Sequence, residues 1–239
     1  MLFDLDGTIV DDSGLPGALR TACERTAAMV PAVSADALAA ANDAEWGELW
    51  PQVEDEYMLG LDAASTIVVD AWRGTLARCG VQDAAVLDAA VTAWNEEERR
   101  ALRPHPDALE ALETLRADGL RIGMVTNGAS AVQRAKLDAI GLTGAFDPLV
   151  ISSEVGVRKP DAAIFEHALG VAGVPAPRCW FVGDHLWHDV EAAAAAGLHA
   201  VWIDRAGRDL EPSWPQPDLT VAALTDLAAA IRQEPREVE

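Results

Sequence analysis

The 239 residues of this chain are enough to bury a sizeable core, and half of them are hydrophobic, which favours a globular protein over a disordered one. The 39 acidic residues outnumber the 18 basic residues and give a formal charge of -21, which disfavours binding to nucleic acid or to an anionic membrane. We therefore expect a small-molecule partner, no nucleic acid, no membrane, and either a monomer or a homodimer.

Two styles of apolar pattern divide the chain. Leu2-Phe3 reads as the end of a first strand, and from about Pro16 to Arg103 the apolar residues recur with helical spacing only. From Pro104 onward, helices and strands alternate. The predicted helices cover residues 106–117, 129–140, 160–173 and 187–196, the predicted strands cover 121–126, 149–151, 179–182 and 200–203, and a loop at 212–217 precedes a last helix at 221–232.

This alternation predicts an α/β fold in which a parallel sheet is covered by helices on both faces. The helical segment interrupts the fold after the first strand. We therefore predict a core made of residues 1–14 and 104–239 and an all-helical insertion at residues 15–103. Because only three residues precede Asp4, we expect either an unusually short central strand or a true start further upstream.

The beginning of the chain has neither a basic region nor a long apolar run, and no stretch is apolar enough to span a bilayer. These features predict a cytoplasmic protein. The three cysteines, Cys23, Cys79 and Cys179, lack the spacing of a metal site, so we expect reduced and packed thiols.

Four polar segments follow or lie at the ends of predicted strands, or precede a helix. They are Phe3-Asp4-Leu5-Asp6-Gly7-Thr8, Val125-Thr126-Asn127-Gly128, Arg158-Lys159-Pro160-Asp161, and Gly183-Asp184-His185-Leu186-Trp187-His188-Asp189. The carboxyl ends of parallel strands are where ligands bind in such sheets. Together the segments supply a pair of carboxylates, hydroxyl and amide donors, an ammonium and acidic metal ligands, which are the parts that phosphoryl transfer requires.

Asp4 and Asp6 flank one residue at a strand end, so both carboxylates can face one pocket before Gly7 lets the chain turn. A carboxylate that approaches a phosphate dianion is repelled by roughly 8 kcal/mol at about 4 Å and an effective dielectric near 20. A divalent cation would offset this repulsion. Oxygen ligands and bound phosphate favour Mg²⁺.

The chain contains only two lysines, Lys136 and Lys159. Because arginine is used for the other basic positions, we expect Lys159 to have a specific role, in a slot too tight for a guanidinium. Lys136 lies in a predicted helix, four residues before Ile140, and is predicted to face solvent. His185 and His188 are not expected to bind metal, because Mg²⁺ prefers oxygen.

These segments, in this order, resemble the haloacid dehalogenase-like (HAD) hydrolase superfamily, from Phe3 to about Asp204. The resemblance implies a Rossmann-like core with a helical cap inserted after the nucleophile. It also implies that Asp4 attacks phosphorus to form an aspartyl-phosphate, while Asp6 gives a proton to the leaving oxygen and later takes one from water. Thr8 would orient Asp6.

The resemblance further implies that Mg²⁺ is bound by the Asp4 carboxylate, the Asp6 main-chain carbonyl and the Asp184 carboxylate. Asp189 would act through water or by positioning Lys159, and its alternative is a simple helix N-terminal charge. The catalytic residues would be Asp4, Asp6 and Lys159, the metal site would comprise Asp4, Asp6, Asp184 and Asp189, and the substrate-binding residues would be Leu5, Thr8, Thr126, Asn127 and Gly128.

The resulting prediction is an Mg²⁺-dependent phosphomonoesterase acting on a small phosphorylated metabolite of the sugar phosphate or nucleotide type. A dehalogenase is disfavoured because its site lacks the second aspartate, and a phosphonoacetaldehyde-type hydrolase needs a cap lysine that residues 15–103 do not contain. A phosphomutase of the β-phosphoglucomutase kind uses the same two aspartates and stays open. A non-catalytic binding protein on the same fold should have lost at least one of these residues, and none is missing.

Overall fold

The computed structural model describes residues 1–60 and 63–233. The chain divides into two compact units, of which the first comprises residues 1–11 together with Arg103 onward and the second comprises residues 12–102. The sequence placed the divisions after residues 14 and 103, and in the structure they fall after Asp11 and Leu102.

The described strands all belong to the first unit. They are β1 (Leu2–Phe3), β2 (Val10–Asp11), β3 (Arg103–Pro104), β4 (Gly123–Thr126), β5 (Leu149–Ile151), β6 (Trp180–Gly183), β7 (His199–Ile203) and β8 (Leu219–Val221). Six of them form one sheet in the order β5-β4-β1-β6-β7-β8, and every neighbouring pair is parallel. This arrangement confirms the predicted α/β fold, with the short strand β1 inside the sheet between β4 and β6.

The regular elements among the described residues of the second unit are all helices, namely α1 (Leu15–Ala27), α2 (Ala35–Met58), α3 (Ala63–Arg78) and α4 (Ala84–Ala101). Ser34 begins α2 by accepting a hydrogen bond from the backbone N–H of Ala37, and Asp83 begins α4 in the same way. The buried core of this unit includes Trp72, Leu76 and Leu38. It therefore has an apolar core of its own.

The helices of the first unit are α5 (Ala108–Ala117), α6 (Ser130–Ala139), α7 (Ser152–Val155), α8 (Ala163–Ala172), α9 (Ala192–Ala195) and α10 (Leu227–Gln233). Helix α8 packs on β4 and β5, and α9 packs on β7. Phe165 of α8 meets Phe181 of β6 edge to face at a centroid distance of 4.8 Å. Burial of such side chains stabilises the fold by roughly 1.5–3 kcal/mol each, which makes the sheet a firm support for the loops at its edge.

Three predictions about the elements were incomplete. The predicted helix over 187–196 consists of a π-helical segment at Leu186–Glu191 followed by α9. Residues 219–221 form β8, an edge strand that pairs with β7, and the last helix begins only at Leu227. The strands β2 and β3 pair in an antiparallel ribbon that the sequence did not suggest. Among the described residues, none of the helices is both long and apolar enough to cross a membrane.

Three parallel neighbours position the candidate site. Asp4 directly follows β1, Thr126 is the last residue of β4, and Asp184 directly follows β6. The backbone N–H of Asp4 donates to the carbonyl of Val182 in β6 at 2.9 Å, which ties the end of β1 to its neighbour. Since parallel strands end at the same edge of a sheet, these polar residues converge there.

Candidate active site

A tight loop after β1 holds the two aspartates that flank Leu5. The carbonyl of Leu5 accepts hydrogen bonds from the N–H groups of Ile9 and Val10 at 2.9 and 2.8 Å, and Gly7 donates to the carbonyl of Val10 at 3.1 Å. Gly7 has a φ of +75°, which glycine adopts without strain. The chain therefore folds back immediately after the strand, and both aspartates stay at the sheet edge.

Lys159 is the central cation of the site. Its Nζ lies 2.8 Å from Oδ1 of Asp4 and 2.6 Å from Oδ1 of Asp189, and its side chain is only 3% exposed. Asn127 fixes the backbone of Lys159 from both sides, because its Nδ2 donates to the Lys159 carbonyl and its Oδ1 accepts from the Lys159 N–H, both at 2.8 Å. The ammonium is thus held against the Asp4 carboxylate by contacts at both ends of the residue.

The acidic residues after β6 are packed against neighbouring glycines. The Asp184 carboxylate accepts a hydrogen bond from Thr8 Oγ1 at 3.3 Å, and a Cβ added to Gly7 would lie 2.7 Å from Asp184 Cγ. A Cβ on Gly183 would collide with the side chain of Asp189. Both glycines are therefore needed for the carboxylates to reach the positions they occupy.

Asp4, Asp184 and Asp189 form the acidic cluster, in which one carboxylate oxygen of each lies within 4.8 Å of the others. An all-carboxylate donor set fits a hard cation such as Mg²⁺ or Mn²⁺ better than it fits zinc. Both oxygens of Asp189 have protein partners, because Oδ1 accepts from Lys159 and Oδ2 accepts from the N–H of His185 at 3.0 Å. Asp4 and Asp184 are thus the better candidates for direct metal ligands.

The electrostatics of the acidic cluster also suit a cation. Burial raises the pKa of Asp4 well above its usual range, with Lys159 opposing this rise and the two neighbouring carboxylates adding to it. Burial and the charge of Asp189 raise the pKa of Asp184 to about 6. Burial lowers the pKa of Lys159, but Asp189 and Asp4 outweigh it, so the net pKa is raised. One ammonium faces three carboxylates, and a bound divalent cation would offset the excess negative charge.

The environment of Asp6 differs from the sequence prediction in its partners. Lys136 Nζ lies 2.9 and 3.0 Å from the two oxygens of Asp6, and Gln133 Nε2 donates to Oδ2 at 3.0 Å. The prediction that Lys136 faces solvent is therefore wrong, and the residue is the ion-pair partner of Asp6. Burial raises the pKa of Asp6, but Lys136 and Gln133 lower it by more, and the net pKa is below its usual value.

Thr8 also differs from its prediction. Its hydroxyl was expected to orient Asp6, whereas it donates to Asp184 and is fully buried. The physical reason lies in the tight loop, which carries Thr8 toward the residue after β6 and leaves Asp6 to the side chains of α6.

The three predicted substrate-binding residues at and after the end of β4 differ in the groups that they contact. Thr126 is at the sheet edge, and its hydroxyl accepts from Gln133 Nε2 at 2.7 Å. The side chain of Asn127 is engaged by Lys159, and the N–H of Gly128 donates to Ser152 Oγ at 2.9 Å. Asn127 and Gly128 therefore support the loop with these groups.

Three residues that contact the site were not predicted to belong to it, namely Gln133, Lys136 and Ser152. Gln133 and Lys136 are three residues apart on α6, a spacing that places both on one helix face. The scarcity of lysine, which singled out Lys159, applied equally to Lys136 and could have identified it. Ser152 follows β5 as an isolated hydroxyl, and no pattern in the sequence distinguishes it.

The two histidines after β6 contact each other. The backbone N–H of His188 donates to Nδ1 of His185 at 3.1 Å, and the two rings stack at a centroid distance of 4.2 Å. Neither histidine belongs to the acidic cluster found among the described residues.

The chain is similar to known proteins over most of its length. A family model described as haloacid dehalogenase-like hydrolase matches residues 1–197. The chain is 40% identical over 133 residues to phosphoserine phosphatase from Thermus thermophilus, a match that covers 56% of this chain and 53% of that protein. It is 41% identical over 125 residues to pyrimidine 5'-nucleotidase YjjG from Escherichia coli, with 52% and 55% covered. The chain therefore spans about half the length of these curated relatives.

The structure also resembles solved structures over nearly its full length. The 2-haloacid dehalogenase from Pseudomonas syringae pv. Tomato superposes with a TM-score of 0.70 and 24% sequence identity, covering 98% of this chain and 99% of that one. At this identity the likeness shows a shared fold and leaves the reaction to be argued from the site.

Proposed function

Because the chain belongs to the haloacid dehalogenase-like hydrolases, we propose that it is an Mg²⁺-dependent phosphatase that hydrolyses a small phosphomonoester through an aspartyl-phosphate on Asp4. The observation that carries this proposal is the buried Asp4 carboxylate, paired with Lys159 at 2.8 Å and grouped with two further carboxylates. A second aspartate, Asp6, supplies the proton-transfer group that hydrolysis of an ester requires.

The acidic cluster fits a divalent cation, which would be held by Asp4 and Asp184, with the main-chain carbonyl of Asp6 as a further predicted ligand. When bound, Mg²⁺ would neutralise charge on the phosphoryl oxygens. Asp189 is assigned to the support of Lys159, because its two oxygens are occupied by Lys159 and by a main-chain N–H.

In the first half of the reaction, a carboxylate oxygen of Asp4 attacks phosphorus and the bond from phosphorus to the ester oxygen breaks. The leaving oxygen takes the proton of the Asp6 carboxyl group, so that an alcohol departs. Lys159 holds Asp4 by a hydrogen bond to Oδ1 and offsets part of the repulsion between the carboxylate and the phosphoryl group.

In the second half, the oxygen of a water molecule attacks the phosphorus of the aspartyl-phosphate. The proton of that water passes to the Asp6 carboxylate, the bond from phosphorus to the Asp4 oxygen breaks, and inorganic phosphate leaves. Asp4 is regenerated as a carboxylate and Asp6 as a carboxyl group, so the cycle balances.

The phosphoryl oxygens would be bound by the hydroxyl of Thr126 and by main-chain N–H groups of the tight loop, with Leu5 as the predicted member. Thr126 is well placed because it ends β4, next to the strand that carries Asp4. The substrate class remains the predicted one, a sugar phosphate or nucleotide. The helical unit of residues 12–102 is proposed as the predicted cap domain, which would select among such esters.

Two assays test the proposal. Purified protein should release phosphate from p-nitrophenyl phosphate and from a panel of sugar phosphates, nucleotides and phosphoserine when Mg²⁺ is present, and should stop in excess EDTA. Asp4→Asn should be inactive, whereas Asp138→Asn, which removes an exposed aspartate from α6, should match the wild type. Activity in Asp4→Asn would contradict the nucleophile assignment. Halide release from a 2-haloacid without phosphate release would instead favour a dehalogenase.

A further inference from the structure

Two side chains of α6 contact the carboxylate of Asp6 from one side. Lys136 Nζ lies within 3.0 Å of both oxygens, and Gln133 Nε2 lies 3.0 Å from Oδ2. Gln133 is 1% exposed, and 19% of the Lys136 side chain is exposed. Because residues three apart lie on one helix face, a single rigid element presents both donors to Asp6.

Gln133 connects Asp6 to the loop after β4. The same Nε2 that donates to Asp6 also donates to the hydroxyl of Thr126, at 2.7 Å. Gly128 makes room for this side chain, since a Cβ at that position would lie 3.2 Å from Gln133 Cδ, which is a tight contact. The amide of Gln133 is therefore fixed by packing and by two acceptors, so its hydrogen bond to Asp6 has a defined direction.

We propose that Lys136 and Gln133 are positioning residues that fix the direction in which Asp6 presents its carboxyl group to the reacting oxygens. This inference deepens the proposed phosphatase function and rests on it. The Asp6 side chain is 40% exposed, and without these donors it could rotate among several staggered conformations. Proton transfer requires a heavy-atom distance of about 2.6–3.2 Å, so such rotation removes the productive arrangement for much of the time.

The ion pair also has an electrostatic role. Asp6 carries a negative charge after it has given its proton to the leaving oxygen, at a moment when Asp4 carries the phosphoryl group. Lys136 forms an ion pair with the Asp6 carboxylate and offsets its charge, while Lys159 forms an ion pair with Asp4. The two aspartates of the tight loop thus have one lysine each.

Kinetics of single variants test the proposal. Lys136→Met keeps most of the side-chain length and removes the charge, Gln133→Leu removes the amide, and Lys136→Arg keeps a cation that can pair with both oxygens. Arg134→Met is the matched control, because Arg134 lies on the same helix and pairs with Glu154 at 2.8 Å. We expect Lys136→Met and Gln133→Leu to lower kcat on an alkyl phosphate by roughly 10- to 100-fold, with KM within about threefold of the wild type.

Lys136→Arg should recover part of this loss, and Arg134→Met should match the wild type. Loss of a residue that only stabilises the fold would slow every step of the reaction. A positioning residue should instead spare the burst of nitrophenol from p-nitrophenyl phosphate, whose leaving group needs no proton, and should slow the later breakdown of the phosphoenzyme. Thermal unfolding identifies any variant that fails to fold, and Gln133→Leu and Lys136→Arg then carry the test.

The decisive measurement is a double-mutant cycle with Asp6→Asn. If Lys136 acts through Asp6, then adding Lys136→Met to Asp6→Asn should change the remaining rate by less than about twofold. An equal loss in both backgrounds, or Lys136→Met kinetics identical to those of Arg134→Met, would overturn the inference and leave the phosphatase proposal intact. A wild-type protein without phosphatase activity would remove both.

Discussion

Removal of the Lys159 ammonium should destabilise the first unit as well as stop the reaction. Lys159→Met keeps the approximate length of the side chain but leaves two buried carboxylates, Asp4 and Asp189, without the cation that contacts each of them. Removing one member of a buried ion pair costs roughly 3–5 kcal/mol, because the remaining charge stays desolvated. For a protein of about this size, 1 kcal/mol corresponds to roughly 2–4 °C in Tm, so the expected loss is about 6–20 °C.

The pH dependence of this loss has a definite sign. Part of the penalty arises from an ionised Asp4 that has lost its partner, so the penalty should be largest near pH 8 and should shrink toward pH 5 as Asp4 takes up a proton. Because burial raises the pKa of Asp4 well above its usual range, Asp4 takes up its proton at a higher pH than an ordinary aspartate does.

The assay is thermal unfolding in EDTA at pH 8 and pH 5, followed by circular dichroism. Arg134→Met serves as the control, since an exposed ion pair contributes only about 0–1 kcal/mol. A Tm for Lys159→Met within about 2 °C of the wild type at pH 8, or a deficit of the same size at both pH values, would refute the reasoning. In the same series, Lys159→Arg should lose nearly as much activity as Lys159→Met, because the guanidinium is too broad for the slot between two carboxylates.

Three further predictions concern the metal and the aspartates. Turnover should stop in EDTA, return in part with Mn²⁺ or Co²⁺, and be inhibited by Ca²⁺, whose longer and looser coordination misplaces Asp4; undiminished turnover in EDTA would exclude the metal. The pKa of Asp184 is raised to about 6. Ionisation of this carboxylate therefore lowers the stability of the metal-free protein as the pH rises to about 6, and the ionised form, which binds metal, predominates above that pH. The rise in Tm on adding Mg²⁺ should therefore be larger at pH 8 than at pH 5, and an equal rise would argue against Asp184 as a ligand. Asp6→Asn should release a burst of nitrophenol and gain the mass of one phosphoryl group on Asp4, and intact-mass measurement that finds no phosphoenzyme after the burst would contradict the assigned roles.

The order of helices and strands could be predicted from the sequence wherever a buried strand is followed by a well-spaced helix. The strand that ends at Thr126 and the strand at residues 149–151 are such cases. Strand β8 could not be predicted, because its three residues are shaped by pairing with β7 and are too few to show a period. The π-helical segment after Asp184 also escaped prediction, since local patterns do not distinguish it from an α-helix.

The partners of the site residues were harder to predict than the residues themselves. Asp4 and Lys159 stand in short segments of recognisable composition, and the structure brings them to 2.8 Å. The pairing of Asp6 with Lys136 joins positions 130 residues apart. Such a contact depends on how α6 lies against the loop after β1, which is a tertiary property without a local signature.

The positions of the two lysines support different chemical roles for Asp4 and Asp6. The chain has 18 basic residues, of which two are lysines. Both lysines form ion pairs with the aspartates that flank Leu5, Lys159 with Asp4 and Lys136 with Asp6. Their surroundings move the two pKa values in opposite directions, upward for Asp4 and downward for Asp6. Paired groups with separated pKa values are typical of acid and base assignments. Since a nucleophile must be ionised, a cation in addition to Lys159 would favour the reactive form of Asp4. Lys136 and Gln133 favour the carboxylate form of Asp6, which arises when the leaving oxygen takes its proton and which then takes the proton of the hydrolytic water.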